Sequence, residues 1–528
     1  MLGPPIGRLR RLAGLALALG LLAAAAASAT PQAEEALRAA RELCLRDGPA
    51  GDGFATLQPG SSSATLVLNQ LKLQAPHIDP PSLAPLRGFI ERPTGLSGRL
   101  DTEHFRIHYA PGGPDQPAGW PSTRFLEELA AVCEPIHEQS HGLYGWPLPP
   151  GDGEAGGDGR VDIYIRDLGW GVFGYTIHEE IPSVRGKAGF IVLDNDFAGL
   201  TGLDPADAAR VTLAHEYQHL IQFGFGYAVE AEWFMEQCAT MMEGRLCPDI
   251  HELHGYLPYH LLRPHRRLDL TDGSFEYGAW LWPEFLTRWR DDPGILPEIW
   301  AAWAQGGRTM LQAIDASLRR AGESLDRAFL EWAVWNAFLE PGGAPPAYGY
   351  EGGIPGAVAP ALVLAQYPAV RVGPPMILQP EPLAASYVEL RPGRGSADNS
   401  LEITLQTCAT TAEARLIQWS DGGYTVMPIR LDGGRGHVVA GAWDVTDRAL
   451  LVVVNGSGAS GCCDYRVSAA TTFRSAGVDD DGPLPGGVAL SASPNPCEPY
   501  TLIQFQLPEA LPVSLRLYDA QGRLAETL

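Results

Sequence analysis

The 528-residue sequence predicts a mixed α/β (α+β) domain followed by an all-β sandwich domain and a short β-rich C-terminal module. Three observations carry this. Between residues 98 and 345, runs of period-two hydrophobicity alternate with long helical patterns. Past Pro341 the helical patterns stop, and short alternating runs separated by Gly and Pro take over at sandwich-like spacing. A chain of this length also exceeds what one hydrophobic core serves, so two or three folded units are expected.

The N-terminus reads as a processing signal. Arg8, Arg10 and Arg11 precede an unbroken run of Leu, Ala and Gly over 12–27, and Ala27-Ser28-Ala29 supplies small residues for cleavage. Residues 1–29 are therefore expected to be a signal peptide, with a mature start near Thr30. A membrane anchor is the competing reading, but the run is short for a hydrocarbon core of about 30 Å. No later segment is apolar for long enough to span a membrane. Residues 30–97 open with a helical stretch over 34–44 and then turn rich in Gly, Ser and Pro; Pro80-Pro81, Pro85 and Pro93 break any long element. This segment reads as a pro-segment or N-terminal brace and shows no chemistry.

The domain expected over 98–345 begins with Phe105-Arg106-Ile107-His108-Tyr109, which alternates as a strand should. A helix is expected over 124–141, with further strands over 161–165 and 189–193. The next helix has clear boundary signals: Asp204 as N-cap, Pro205 at the first helical position, Asp207 at the positive end, and Gly224 past Phe223. Residues 229–244, 280–290 and 308–340 are also expected to be helical. The sandwich is placed over 346–475, with runs such as 401–405, 414–419 and 450–454. A linker is expected over 476–487 and a last module over 488–528.

Charge excludes a nucleic-acid partner. The net charge is −24, and loss of the three signal arginines leaves 35 basic residues against 62 acidic, or −27. Such a surface repels phosphate backbones and anionic lipid. The eight cysteines, Cys44, Cys133, Cys238, Cys247, Cys408, Cys462, Cys463 and Cys497, are dispersed. They form no Cys-x-x-Cys pattern and read as disulfide staples or buried thiols.

The chemistry centres on His215-Glu216-Tyr217-Gln218-His219. Residues i and i+4 share a helix face, so both imidazoles can meet one metal ion, with Glu216 beside the open coordination position. Zinc, with three protein ligands and one water, is the expected ion. The same spacing recurs at His137-Glu138-Gln139-Ser140-His141. That copy lies between Pro135 and Gly142, so it reads as an exposed helix end. The third ligand is sought downstream, among Glu230, Glu232, Glu236 and Glu243. Glu236 stands in an apolar frame, where a carboxylate is costly unless it is paired or metal-bound. Glu232 and Glu243 read as facing solvent or as supporting the ligands from behind. The acidic, Gly-rich run from Asp152 to Asp162 offers ligands for a structural Ca2+, against a solvated turn as the plainer reading.

His-Glu-x-x-His followed by Trp233-Phe234-Met235-Glu236-x-x-Ala239-Thr240 resembles the gluzincin zinc peptidases, whose aminopeptidase N-type members carry a similar stretch around a glutamate ligand. A group of secreted bacterial metalloproteases with His-Glu-Phe-Gln-His helices is similar too. The resemblance covers roughly 100–340 and implies a zincin-like metallopeptidase fold. It implies His215, His219 and Glu236 as zinc ligands, Glu216 as general base, and protein or peptide substrates. Phe225 stands where a metzincin would have its third histidine. The oxyanion donor of the aminopeptidases is a tyrosine; here Phe275 holds the matching place, and Tyr277, two residues on, is the nearest candidate. The tail (Ser493-Pro494-Asn495-Pro496, then strand-like 501–505 and 513–518) resembles the C-terminal sorting domain of bacterial type IX secretion and the related immunoglobulin-like module, in truncated form. It implies export machinery as a partner and a location outside the cell or on its surface. A competing function is a secreted adhesive or carbohydrate-binding protein carrying a degenerate peptidase domain.

Overall fold

A computed structural model describes residues 30–45, 63–169, 171–180, 186–198, 202–339, 345–350, 353–392, 399–420 and 423–472, together with the backbone of 489–493, 502–506, 516–518 and 524–527. The expected signal peptide, the linker over 476–487 and most of the C-terminal module lie outside the described residues. The chain is mixed α/β with several sheets and divides into two compact units. One comprises residues up to Arg263 plus Leu268–Val358; the other comprises Pro264–Arg267 and the chain from Ala359. No helix among the described residues is long and apolar enough to cross a membrane.

The first unit is built on a five-stranded sheet of β1 Gly98–Asp101, β2 Phe105–Tyr109, β3 Val161–Arg166, β4 Gly174–Glu179 and β5 Ala188–Asp194, in the order β1-β2-β3-β5-β4. β2, β3 and β5 run parallel, while β4 pairs antiparallel with β5 and forms an edge. One face is covered by N-terminal helices, α1 Pro31–Cys44 and α2 Ala64–Gln74. Their Ala33, Ala40, Val67, Leu68 and Leu71 share a core with Tyr175, Ile177, Phe190 and Val192 of the sheet. α2 arises in the stretch whose Gly, Ser and Pro content argues against long elements. Ser63 caps it by accepting from Leu66 N, and no proline falls within it.

Along the chain follow α3 Arg124–Glu138, α4 Pro205–Phe223 and α5 Glu232–Leu246. α4 starts as expected, with the Asp204 carboxylate accepting from Ala206 N at 2.9 Å and Asp207 N at 3.1 Å. It is buried nearly all round, from Leu213 to Phe223 without a break. Gly189 in β5 lets it approach the sheet, since a Cβ there would sit 2.4 Å from Ile177 O and 3.0 Å from Leu220 Cδ1. α5 is likewise buried on all sides over Glu232–Glu243. The stretch expected as one helix over 308–340 is two, Met310–Arg320 and Leu325–Ala337, because the chain turns at Ala321-Gly322 and restarts from the Ser324 cap.

Within the second unit, the described residues of 359–472 form nine strands: Leu362–Leu364 (β6), Ala369–Val372 (β7), Ala384–Leu390 (β8), Ser400–Thr407 (β9), Ala412–Ser420 (β10), Gly423–Ile429 (β11), Arg435–Gly441 (β12), Arg448–Asn455 (β13) and Tyr465–Thr472 (β14). They form two sheets, of order β11-β10-β13-β8-β6 and β12-β9-β14-β7. Both sheets contribute to one core, with Leu401, Ile403 and Leu405 from β9 and Leu416 and Leu451 from β10 and β13, and the buried Trp443 belongs to it too. Two further strand pairs, 489–493 with 502–506 and 516–518 with 524–527, fall in the C-terminal module.

Cys44, Cys133, Cys238, Cys247, Cys408, Cys462 and Cys463 are free thiols, four of them buried, so the disulfide staples considered from the sequence are not formed among the described residues. Cys497 lies outside them.

Candidate metal centre

α4 and α5 bring His215, His219 and Glu236 to one point. His215 Nε2 and His219 Nε2 lie 3.0 Å apart, and each stands 3.2 Å from a different oxygen of Glu236. These edges are close to the roughly 3.3 Å expected between ligands on one face of a tetrahedral zinc site with bonds of about 2.0–2.1 Å. The protons of both imidazoles are placed by the groups behind them. His215 Nδ1 lies 2.6 Å from the Glu243 carboxylate, which can only accept, so Nδ1 carries the proton. His219 Nδ1 donates to Gln222 Oε1 at 2.9 Å, while Gln222 Nε2 donates to Met235 O at 3.2 Å and ties α4 to α5. The two Nε2 lone pairs therefore point at each other and at a carboxylate.

Such a cluster of three electron-rich groups is repulsive unless a positive charge sits among them. Glu236 sharpens the point: it is fully buried, and neither of its oxygens has a hydrogen-bond partner. Stranding a carboxylate in this way costs several kcal/mol unless a cation answers it. Burial favours its neutral form, but His219 and His215 hold it below the usual carboxylate range. Burial likewise opposes charge on His215, and the Glu236 and Glu243 carboxylates override it and raise that imidazole well above its ordinary value. A proton or a divalent cation satisfies the same field, and the donor set of two imidazoles and one carboxylate suits zinc.

Glu216 lies beside the two histidines on α4. Its Oε2 accepts from Thr65 Oγ1 at 2.8 Å and lies 2.8 Å from Thr176 Oγ1. With His215, Glu243 and Tyr277 it lines a cavity of about 120 Å3, room for a handful of waters at about 30 Å3 each. Tyr277 stacks near His215 with ring centroids 6.1 Å apart, and burial first, then Glu236 and Glu276, push its phenol well above the usual range. It therefore stays protonated and can donate. Tyr256, 5.5 Å from Tyr277, lines the same cavity.

Several sequence expectations change here. Glu232 and Glu243 do not face solvent, since both are buried, and of the two sequence readings the supporting one fits Glu243. Glu243 orients His215, while Glu232 receives Gln70 Nε2 at 2.7 Å and the Tyr227 hydroxyl. They share a face with Glu236 because 232, 236 and 243 are spaced by one and two helical turns. Glu230 turns away, accepting from Trp303 Nε1 at 2.6 Å and Met310 N at 3.0 Å. The carboxylates offered to calcium, Asp152 and Asp162, are engaged by the Arg92 guanidinium, which also meets Glu179 at 2.7 Å.

The copy at 137–141 is not a plain exposed helix end. α3 passes into a π-helical turn over Gln139–Leu143, and His137 and His141 are half-buried. His141 has no free nitrogen: Nδ1 donates to Trp146 O at 2.9 Å, and Nε2 accepts from the Tyr217 hydroxyl at 2.7 Å. His104, Glu134 and His137 lie close enough to hold an ion. However, the two imidazoles stack face to face at 3.9 Å and 12°, so their in-plane lone pairs cannot converge on one ion. Glu134 is already taken by Thr102 Oγ1, His104 N and His104 Nδ1 at 2.6–2.8 Å.

The sequence reading missed Gln222, Thr176 and Thr65. Gln222 had a signal, three residues past His219 on the same helix face; Thr65, 151 residues from Glu216, had none. No family model matches the chain, and comparison with curated proteins gives no match.

Proposed function

We propose that the chain is a secreted zinc metallopeptidase with a zincin-like domain of the gluzincin kind, in which His215, His219 and Glu236 hold the ion. One observation carries the reading: Glu236, buried without a hydrogen-bond donor, meets two histidine nitrogens whose protons are fixed on the opposite side. The position of Glu216 on the cavity beside them supports its reading as the base that hydrolysis needs.

A bound zinc ion would supply Lewis acidity, activating a water and polarising the scissile carbonyl. Glu216 takes a proton from the attacking water on its carboxylate and delivers it to the departing amine. Thr65 and Thr176 keep the carboxylate in place during both transfers. Glu243 and Gln222 hold the imidazoles in the tautomer that leaves Nε2 free. Tyr277, protonated and facing the cavity, is the candidate donor to the developing oxyanion. Peptide as substrate, and export from the cell, rest on the resemblance and on the N-terminal signal.

The test is bound zinc and casein hydrolysis in the wild type and in Glu216→Gln. Expected is one zinc in both, with hydrolysis lost by about 10²-fold or more in the variant. Hydrolysis that survives the substitution contradicts the reading.

A further inference from the structure

Thr65 comes from the segment in which the sequence shows no chemistry, yet its hydroxyl meets the general base. The geometry fixes the direction of that contact. Thr65 Oγ1 accepts from Thr176 N at 3.0 Å, which turns its own proton toward Glu216 Oε2 at 2.8 Å. Thr176 Oγ1 reaches the same oxygen at 2.8 Å. The carboxylate is thus held through one oxygen, and the other remains for the proton.

One turn along α2, Asn69 completes the arrangement. Its Nδ2 donates to Thr176 O at 2.7 Å, and its Oδ1 accepts from His178 N at 3.0 Å. Both partners lie on β4, the edge strand, on the side away from β5. Side chains four residues apart on a helix therefore fill the backbone groups that a further strand would pair with. While α2 is in place, a peptide cannot add to β4 at these positions.

α2 is also bound by packing. Its Val67, Leu68 and Leu71 are buried in one core with Tyr175, Ile177 and Phe190 of the sheet, so its removal would expose a continuous apolar face. We propose that Thr65 is a positioning residue for Glu216, and that α2 is a permanent part of the catalytic unit and not a removable pro-segment. The proposal rests on the peptidase reading above.

Two measurements test it. Thr65→Val removes the hydroxyl at nearly constant volume, and Thr65→Ser keeps it. On fluorescently labelled casein, Thr65→Val should retain zinc and KM while kcat falls by roughly ten- to a hundredfold, and Thr65→Ser should restore most of the rate. A Thr65→Val enzyme with unchanged kcat, or a loss that serine does not restore, overturns the proposal. The second measurement needs no variant: N-terminal sequencing of the active wild-type enzyme. Residues 64–74 should be retained, and an active species that begins after residue 97 overturns the proposal even if the peptidase reading stands. A wild type that hydrolyses nothing, with Glu216→Gln no different, sinks both.

Discussion

Two stretches of this chain share the pattern His-Glu-x-x-His, at 137–141 and at 215–219, and the fold surrounds them differently. In the second, an unbroken buried helix directs two Nε2 atoms to a point 3.0 Å apart, where Glu236 of the next helix closes the set. In the first, the helix loosens into a π turn, Glu138 is exposed, and His137 stacks on His104. The two copies even meet: Tyr217, the third residue of one, donates its hydroxyl to the Nε2 of His141 in the other. Spacing alone does not make a ligand pair. What separates the copies is whether each Nε2 is left free to converge and whether a third acid arrives without a donor of its own.

That contrast can be broken at Glu236, the proposed third ligand. Glu236→Gln should lower zinc affinity by orders of magnitude, whereas Glu134→Gln should leave it unchanged; competition with a chromophoric chelator reads both. Equal losses would erase the distinction. A smaller effect is expected behind the histidine. Glu243→Gln keeps a hydrogen-bond acceptor for His215 but removes the charge, so zinc affinity should fall by about 10- to 100-fold with the fold intact. Unchanged affinity would mean that Glu243 does not orient the ligand.

At the junction between the copies, Tyr217→Phe removes a neutral hydrogen bond. Denaturant unfolding should show a loss of about 1 kcal/mol, with zinc content unaltered. Zinc loss there would mean that the two copies are coupled. A last contrast is a pH dependence. Burial first, then His141 and His104, lowers His137 to about 4. Its folded value lies below that of the unfolded chain, about 6.5, so between these values the unfolded state takes up the proton more readily. Stability from this residue is present above about pH 6.5 and is lost as the pH falls toward 4. His137→Gln should flatten that part of the stability profile, and an unchanged slope would contradict the assignment.

What the sequence made legible was local. Asp204, Pro205 and Gly224 bracket α4 because capping acts within one turn. Glu236 stood out because an acid among Trp, Phe and Met needs a reason to be there. What escaped depends on contacts between distant parts of the chain. β4 alternates Tyr175, Thr176, Ile177 and His178 as a strand should, but glycines at 171 and 174 obscure its start. α2 follows a Gly- and Ser-rich stretch and precedes a cluster of prolines, and this setting masks its 11 helical residues. The engagement of His141 by Tyr217, and of Glu216 by Thr65, pairs residues 76 and 151 positions apart. No spacing rule reaches across such separations.

The most direct measurement is the zinc content of purified full-length protein by native mass spectrometry, for wild type, His219→Ala and His141→Ala. One zinc is expected in the wild type and in His141→Ala, and none in His219→Ala. A metal-free wild type, or zinc lost from His141→Ala and retained by His219→Ala, would contradict the assignment of the centre to α4 and α5.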